Sequence, residues 1–215
     1  MKLEPLGDRA WLARFATDAE AAAWAASVRR ADLPGVVDAI SAFRNASVHA
    51  DPDRVDLDEL AEALRAIKAS VETRIAGRLL ELPVLYDGCD LDEVARSVGL
   101  DPAGVAAAHS GRDYEVFAVG FLPGFPYAGP LDPALAGMAR RATPRTRVPA
   151  GSVAIVGGQT GVYPAESPGG WHLIGRTPLR IVDIALGRFP IRAGDRLRFV
   201  PIDAGEFRAR MGDLL

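Results

Sequence analysis

From Asp113 to Pro201, glycine and proline clusters recur so often that no helix of ordinary length fits between them. What remains are short apolar runs: Tyr114–Val119, Val153–Val156, Leu179–Ile184 and Arg196–Val200. Gly157-Gly158, Pro168-Gly169-Gly170 and Ala193-Gly194-Asp195 are turn sequences. Short strands punctuated by turns must bury their apolar faces against one another, which predicts a β-barrel or sandwich. Asp203–Met211 reads as a closing helix.

The first third has another rhythm. Arg9–Phe15 alternates, with Trp11, Ala13 and Phe15 on one face, and predicts a strand. Thr17 or Asp18 can cap a helix through the alanine-rich Ala21–Arg30, which Pro34-Gly35 ends. Val36–Phe43 and Ala46–His49 predict two strands joined as a hairpin across Arg44-Asn45. Asp56 caps a second helix with Leu57, Leu60, Leu64, Ile67 and Val71 at helical spacing, and Leu79–Tyr86 predicts a fourth strand. The order β-α-β-β-α-β is that of a ferredoxin-like domain. Such a sheet needs no cofactor and by itself implies no chemistry.

Between the halves, Asp90-Leu91-Asp92-Glu93 resembles a capping box before a short helix ending at Gly99. Asp101-Pro102 starts another helix that reaches His109. The expected organisation is α+β. A ferredoxin-like domain covers residues 1–87, a helical connection over 88–112 bridges the halves, and a barrel domain covers 113–215.

Charge separates the function classes. Pro133–Ala165 contains no Asp or Glu, while Arg140, Arg141, Arg145 and Arg147 fall within it. Extended to Val182, the window holds six arginines against Glu166, a net charge of +5, so the rest carries −8 of the total −3. A basic segment on an acidic chain fits a small anionic substrate or an acidic partner, and disfavours nucleic acid. The alternative is that these arginines pair with carboxylates from elsewhere in the chain. No run approaches the ~18 apolar residues of a membrane helix, and the start lacks the apolar stretch of a secretory leader. With the single Cys89 forming no internal disulfide, a cytoplasmic protein is expected.

Common catalytic signatures are absent. There is no G-x-x-x-x-G-K-S/T phosphate loop, no strand–G-x-G-x-x-G–helix unit and no G-x-S-x-G elbow. His49, His109 and His172 are scattered and give no zinc pattern. Chemistry-bearing residues concentrate between His109 and Arg176. The loop Gly120–Tyr127 joins flexible backbone to aromatics, and Thr143–Pro149 presents Arg145 between prolines as a fork for carboxylate or phosphoryl oxygens. Tyr163–His172 gathers Glu166 and His172, which can move protons, with Ser167 and Trp171. Nothing in the spacing forces a triad, so the catalytic residues stay unassigned. His109, Arg145, Gln159, Tyr163, Glu166, His172 and Arg176 are the residues expected to line a substrate or partner surface, with no metal.

The runs GFLPGFPYAG (120–129), PRTRVPAGSVAI (144–155), QTGVYPAESPGGWHLIGRTP (159–178) and AGDRLRFVPI (193–202) resemble the family of 5-oxoprolinase B subunits. That family also takes in a sporulation-kinase inhibitor and the first member of allophanate-hydrolase-like pairs. Pro5-Leu6-Gly7-Asp8, Leu82–Tyr86 and His109 match its other landmarks, so the likeness covers nearly the whole chain. The resemblance implies a cyclophilin-like β-barrel behind the ferredoxin-like domain. It also implies action with C and A subunits to open 5-oxoproline to L-glutamate using ATP, the isolated chain being inactive. ATP would be used by the complex without a phosphate loop in this chain. Alternatives within the resemblance are inhibition of a sporulation-type histidine kinase, or a subunit of an allophanate or urea amidolyase-type hydrolase.

Overall fold

Leu79–Val84 is a strand, as its apolar run implies, but it runs parallel to Arg196–Pro201 and takes no place in the first sheet. The computed structural model describes residues 1–68 and 77–215. It divides into two compact units, Met1–Gly77 and Arg78–Leu215, ten residues before the expected boundary.

The first unit contains β1 (Lys2–Pro5), β2 (Ala10–Arg14), α1 (Asp18–Ala31), β3 (Val36–Ala42), β4 (Asn45–Ala50) and α2 (Leu57–Ala66). Its sheet has the order β1-β2-β4-β3 with antiparallel neighbours. The ferredoxin-like expectation is therefore corrected: a β1–β2 hairpin supplies the fourth strand. Gly7, at φ 69°, makes that turn, and Leu6 N–H donates to Ala10 O at 2.8 Å. Thr17 caps α1 by accepting from Glu20 N–H at 3.2 Å, and Glu20 returns the bond as a capping box. Asp56 caps α2 through Asp58 and Glu59 N–H. The helices bury Trp24, Val28, Leu60 and Leu64 with Trp11 and Val48 of the sheet. Each indole finds a backbone acceptor, Trp11 on Leu57 O and Trp24 on Ile67 O. Val71, expected on the same helix, lies outside the described residues.

The second unit contains β5 (Leu79–Val84), α3 (Leu91–Val98), α4 (Pro102–Ser110), β6 (Asp113–Val119), β7 (Pro126–Gly129), β8 (Arg145–Val148), β9 (Ser152–Val156), β10 (Gln159–Val162), β11 (Ser167–Gly169), β12 (His172–Arg176), β13 (Arg196–Pro201) and α5 (Ala204–Ala209). Seven strands form one sheet in the order β12-β9-β10-β7-β6-β13-β5, with β8 and β11 as a separate pair. The two edges meet at Leu85 and Arg176, which form an antiparallel bridge and nearly close the sheet into a barrel. α3 packs on β12 and α4 on β13, so the helices expected to bridge the halves belong to this unit. Pro168-Gly169, expected as a turn, lies in β11, and Arg145–Val148, expected as a loop, is β8. Leu179–Ile184 forms only single bridges, at Arg180 and Asp183.

Both faces of β9 are covered. Val153 and Ile155 join the main core of Leu82, Tyr114, Ile174 and Phe199, while Ala154 and Val156 join an aromatic layer of Phe125, Tyr163 and Trp171. Alternating side chains on a strand face opposite ways, so a fully apolar strand needs two apolar partners. β8 and β11 lie on the aromatic layer's side, where Val148 is buried, and carry the arginine segment with them. Among the described residues no helix is long and apolar enough to cross a membrane.

Candidate functional site

The segment between β5 and α3 passes along β12. Gly88 N–H donates to Ile174 O at 3.3 Å, and Asp90 N–H donates to Leu173 O at 3.0 Å. Gly88 is required here, because a Cβ would run into the backbone of Leu173, Ile174 and Gly175. Asp90, read from sequence as a capping residue, makes no side-chain cap on α3. Its carboxylate turns inward, with the side chain only 3% exposed. Oδ2 accepts from Leu173 N–H at 2.7 Å, and Oδ1 accepts from Arg141 Nη1 at 3.0 Å and from Arg145 Nη2 at 2.5 Å. One buried carboxylate thus holds two guanidinium groups.

Burial works against the charge on Arg145, but the hydrogen bond and charge of Asp90 outweigh it, so the guanidinium is held above its ordinary value. Arg145 Nη2 also lies 3.4 Å from the exposed thiol of Cys89. Arg141 reaches Glu93 at 3.1 Å, and its backbone N–H is anchored on Gly170 O at 2.9 Å. His172, on β12, is buried and donates from Nε2 to Ala139 O at 2.9 Å. Among the described residues, the buried side-chain polar atoms without a partner are Arg141 Nε, Arg145 Nη1 and His172 Nδ1. Arg141 and His172 line an open cleft of about 480 Å³, together with Glu93, Met138, Arg140 and Thr143.

Arg145 is held by Asp90, which also binds the backbone of Leu173 next to His172, while His172 itself lines the cleft with Arg141; the other candidates lie elsewhere. His109 is in the core, fully buried, a correction to its expected surface position. Thr160 Oγ1 gives its proton to Ala154 O, so His109 Nε2 donates to Thr160 at 2.8 Å and Nδ1 accepts from Tyr86 Oη at 2.8 Å. Burial alone pushes its pKa down to about 3. Tyr163 is likewise buried, in the aromatic layer against Phe125, and burial raises its phenol. Glu166 is exposed and pairs with Arg147 at 2.6 Å. Arg176 binds Asp87 through Nε and Nη2 at 3.0 and 2.7 Å and lies 4.5 Å over the Phe207 ring. Gln159 opens β10 opposite Val156, in the hairpin that Gly157-Gly158 turns. Five arginines of the basic window, 141, 145, 147, 176 and 180, are ion-paired, so the carboxylate-pairing alternative holds for them. Asp90 and Arg141 were missed. The signal for them was the acid-free arginine window itself, which requires a carboxylate from elsewhere. Among the described residues no group of His, Cys, Asp and Glu could hold a metal ion.

Comparison with known proteins gives a consistent result. Residues 1–188 match the family model described as carboxyltransferase domain, subdomain C and D. The chain is 43% identical over 187 residues to the B subunit of 5-oxoprolinase from Escherichia coli O157:H7, covering 85% of each. It is 36% identical to that of Bacillus subtilis, covering 97% of this chain and 95% of the other. Among solved structures, TTHA0988 superposes with a TM-score of 0.82 at 38% identity, over 91% of this chain and 40% of that one. The chain thus spans less than half of TTHA0988. The Kluyveromyces lactis urea amidolyase, at 21% identity and a TM-score of 0.71 over 96% of this chain and 15% of that one, shares the fold. By sequence and structure alike, the chain belongs to the carboxyltransferase subdomain C and D family, among the 5-oxoprolinase B subunits.

Proposed function

We propose that this chain is the B subunit of an ATP-dependent 5-oxoprolinase, a cytoplasmic complex in which it acts with C and A subunits to open 5-oxoproline to L-glutamate. The observation that carries the reading is 36–43% identity, over 82–97% of the chain, to three bacterial proteins that bear the name of this 5-oxoprolinase component. The reaction adds water across a stable lactam, and ATP makes the carbonyl electrophilic enough for attack. The glycine-rich Gly157-Gly158 joins two strands of a hairpin, with no helix behind it, and so does not form a phosphate loop. We therefore assign ATP to another subunit and give this chain the task of holding an acidic substrate. The basic cleft beside Asp90 supports that division, because it is the place where cationic groups are gathered and fixed by a buried partner.

The three bacterial relatives named as 5-oxoprolinase B subunits do not favour the kinase-inhibitor reading, and the urea amidolyase likeness, at 21% identity, extends to the fold alone. Assembly is the direct check. Mixed with purified C and A homologues, the chain should co-elute with them as a stable complex. Separate elution of all three folded proteins would remove the subunit assignment.

A further inference from the structure

Arg141, Arg145 and His172 share one condition: each is bonded on one side and carries a buried, unpartnered polar atom on another. Such atoms are rare in folded proteins, because a buried donor or acceptor gives up water without compensation. Three on neighbouring segments are most simply explained by a ligand that completes them. The charges indicate what kind. Arg140 and Arg141 stand against Glu93 around the cleft, leaving one positive charge over, while Arg145 and Asp90 beside Arg141 balance each other. The free guanidinium N–H groups donate, so they require an acceptor, and a single negative charge balances the site. Asp90 also fixes both guanidiniums in advance, which lowers the ordering cost of binding.

His172 adds a second requirement. Its Nε2 faces a carbonyl oxygen, which can only accept, so that nitrogen carries the proton. The neutral ring then leaves a lone pair on Nδ1, with no donor to meet it. A ligand that completes the set has a carboxylate for the arginines and an N–H or O–H for the imidazole.

We propose that the cleft lined by Arg141 and His172, with Arg145 beside Arg141 on Asp90, binds a small carboxylic acid that carries its own hydrogen-bond donor. The carboxylate is held by the two arginines and the donor is read by His172 Nδ1. The inference rests on the 5-oxoprolinase reading only for its first candidate, since 5-oxoproline has one carboxylate and one ring N–H. The site makes Arg141 and Arg145 anion holders and His172 a specificity-determining residue that separates lactam acids from plain carboxylic acids.

The test is calorimetric titration of the full chain with 5-oxoproline and with 3-oxocyclopentanecarboxylate, which has CH2 in place of the ring N–H. One hydrogen bond lost to a buried acceptor should weaken the carbocycle about tenfold. Arg141→Gln should abolish binding of both acids. His172→Phe, with folding checked by its melting curve, should bind both with equal, weak affinity. Equal affinity of the two acids for the unaltered chain overturns the role of His172 without recourse to any variant, and no binding of either acid overturns the site. Turnover by the complete complex is a separate readout. Binding without glutamate release would defeat the 5-oxoprolinase reading and leave the site standing, whereas turnover without binding by this chain would defeat the site alone.

Discussion

Leu85 and Arg176 exchange backbone hydrogen bonds in both directions, each 2.9 Å long, and so join the two edges of the seven-stranded sheet. The same stretch of backbone continues through Gly88 and Asp90 along β12, where Asp90 fixes Arg141 and Arg145. Barrel closure and the anchoring of the basic cleft are therefore one structural event. A barrel left open here would expose two strand edges and release the carboxylate that orders the arginines.

Gly175 sits inside that closure. A Cβ built on it would lie 2.7 Å from Leu85 O and 2.9 Å from Val84 Cγ1. Gly175→Ala should therefore destabilise the chain by about 2 kcal/mol, lowering the melting temperature by roughly 4–8 °C. Gly158→Ala, where nothing lies within 4 Å, is the control and should leave melting nearly unchanged. Calorimetric scans of the two variants decide the point.

The ion pairs should differ sharply in weight. Asp90→Asn leaves the partly buried Arg145 without its counter-charge and Arg141 with Glu93 alone, and should cost about 3 kcal/mol in urea denaturation. Glu166→Gln breaks a pair whose side chains are 75% and 51% exposed, and should cost about 0.5 kcal/mol or less. Arg145→Ala belongs with Asp90 in kind and should impair activity of the complex. Equal stability losses for Asp90→Asn and Glu166→Gln would contradict the buried anchor.

His109 gives the stability a pH dependence. Its folded pKa of about 3 lies below the ordinary value of about 6.5, so on acidification the unfolded chain takes up the proton first. Its contribution is complete above about pH 6.5 and is lost as pH falls toward 3. Between pH 6.5 and 5 the loss should be about 2 kcal/mol. His109→Gln, which can still donate to Thr160 and accept from Tyr86, should lack this component. Urea denaturation of both proteins at pH 7.5 and 5 measures the difference, and identical slopes would show that His109 does not titrate as buried.

Local structure was largely legible in the sequence. The caps at Thr17, Asp56 and Asp101, the hairpin at Gly157-Gly158 and the strand character of Leu79–Val84 all follow from nearby residues. Pairing was not legible, because an apolar run marks a strand without naming its neighbour. Leu79–Val84 therefore reads as the end of the first unit, whereas its parallel register with Arg196–Pro201 places it in the second. The site was half legible. Arg145 was picked out, but its partner Asp90, which also binds Leu173 beside His172, lies more than fifty residues before it, in a stretch that reads locally as a helix cap. His109 was misplaced although a local signal existed. It lies four residues after Val105, which puts both on the inward face of α4.

The measurement that bears most directly on the function is glutamate release from 5-oxoproline and ATP by purified C and A subunits, with and without this chain. The account predicts turnover only when the chain is present, and its loss when Arg145→Ala replaces the unaltered protein. Full turnover by C and A alone, with all proteins folded and associated, would contradict it.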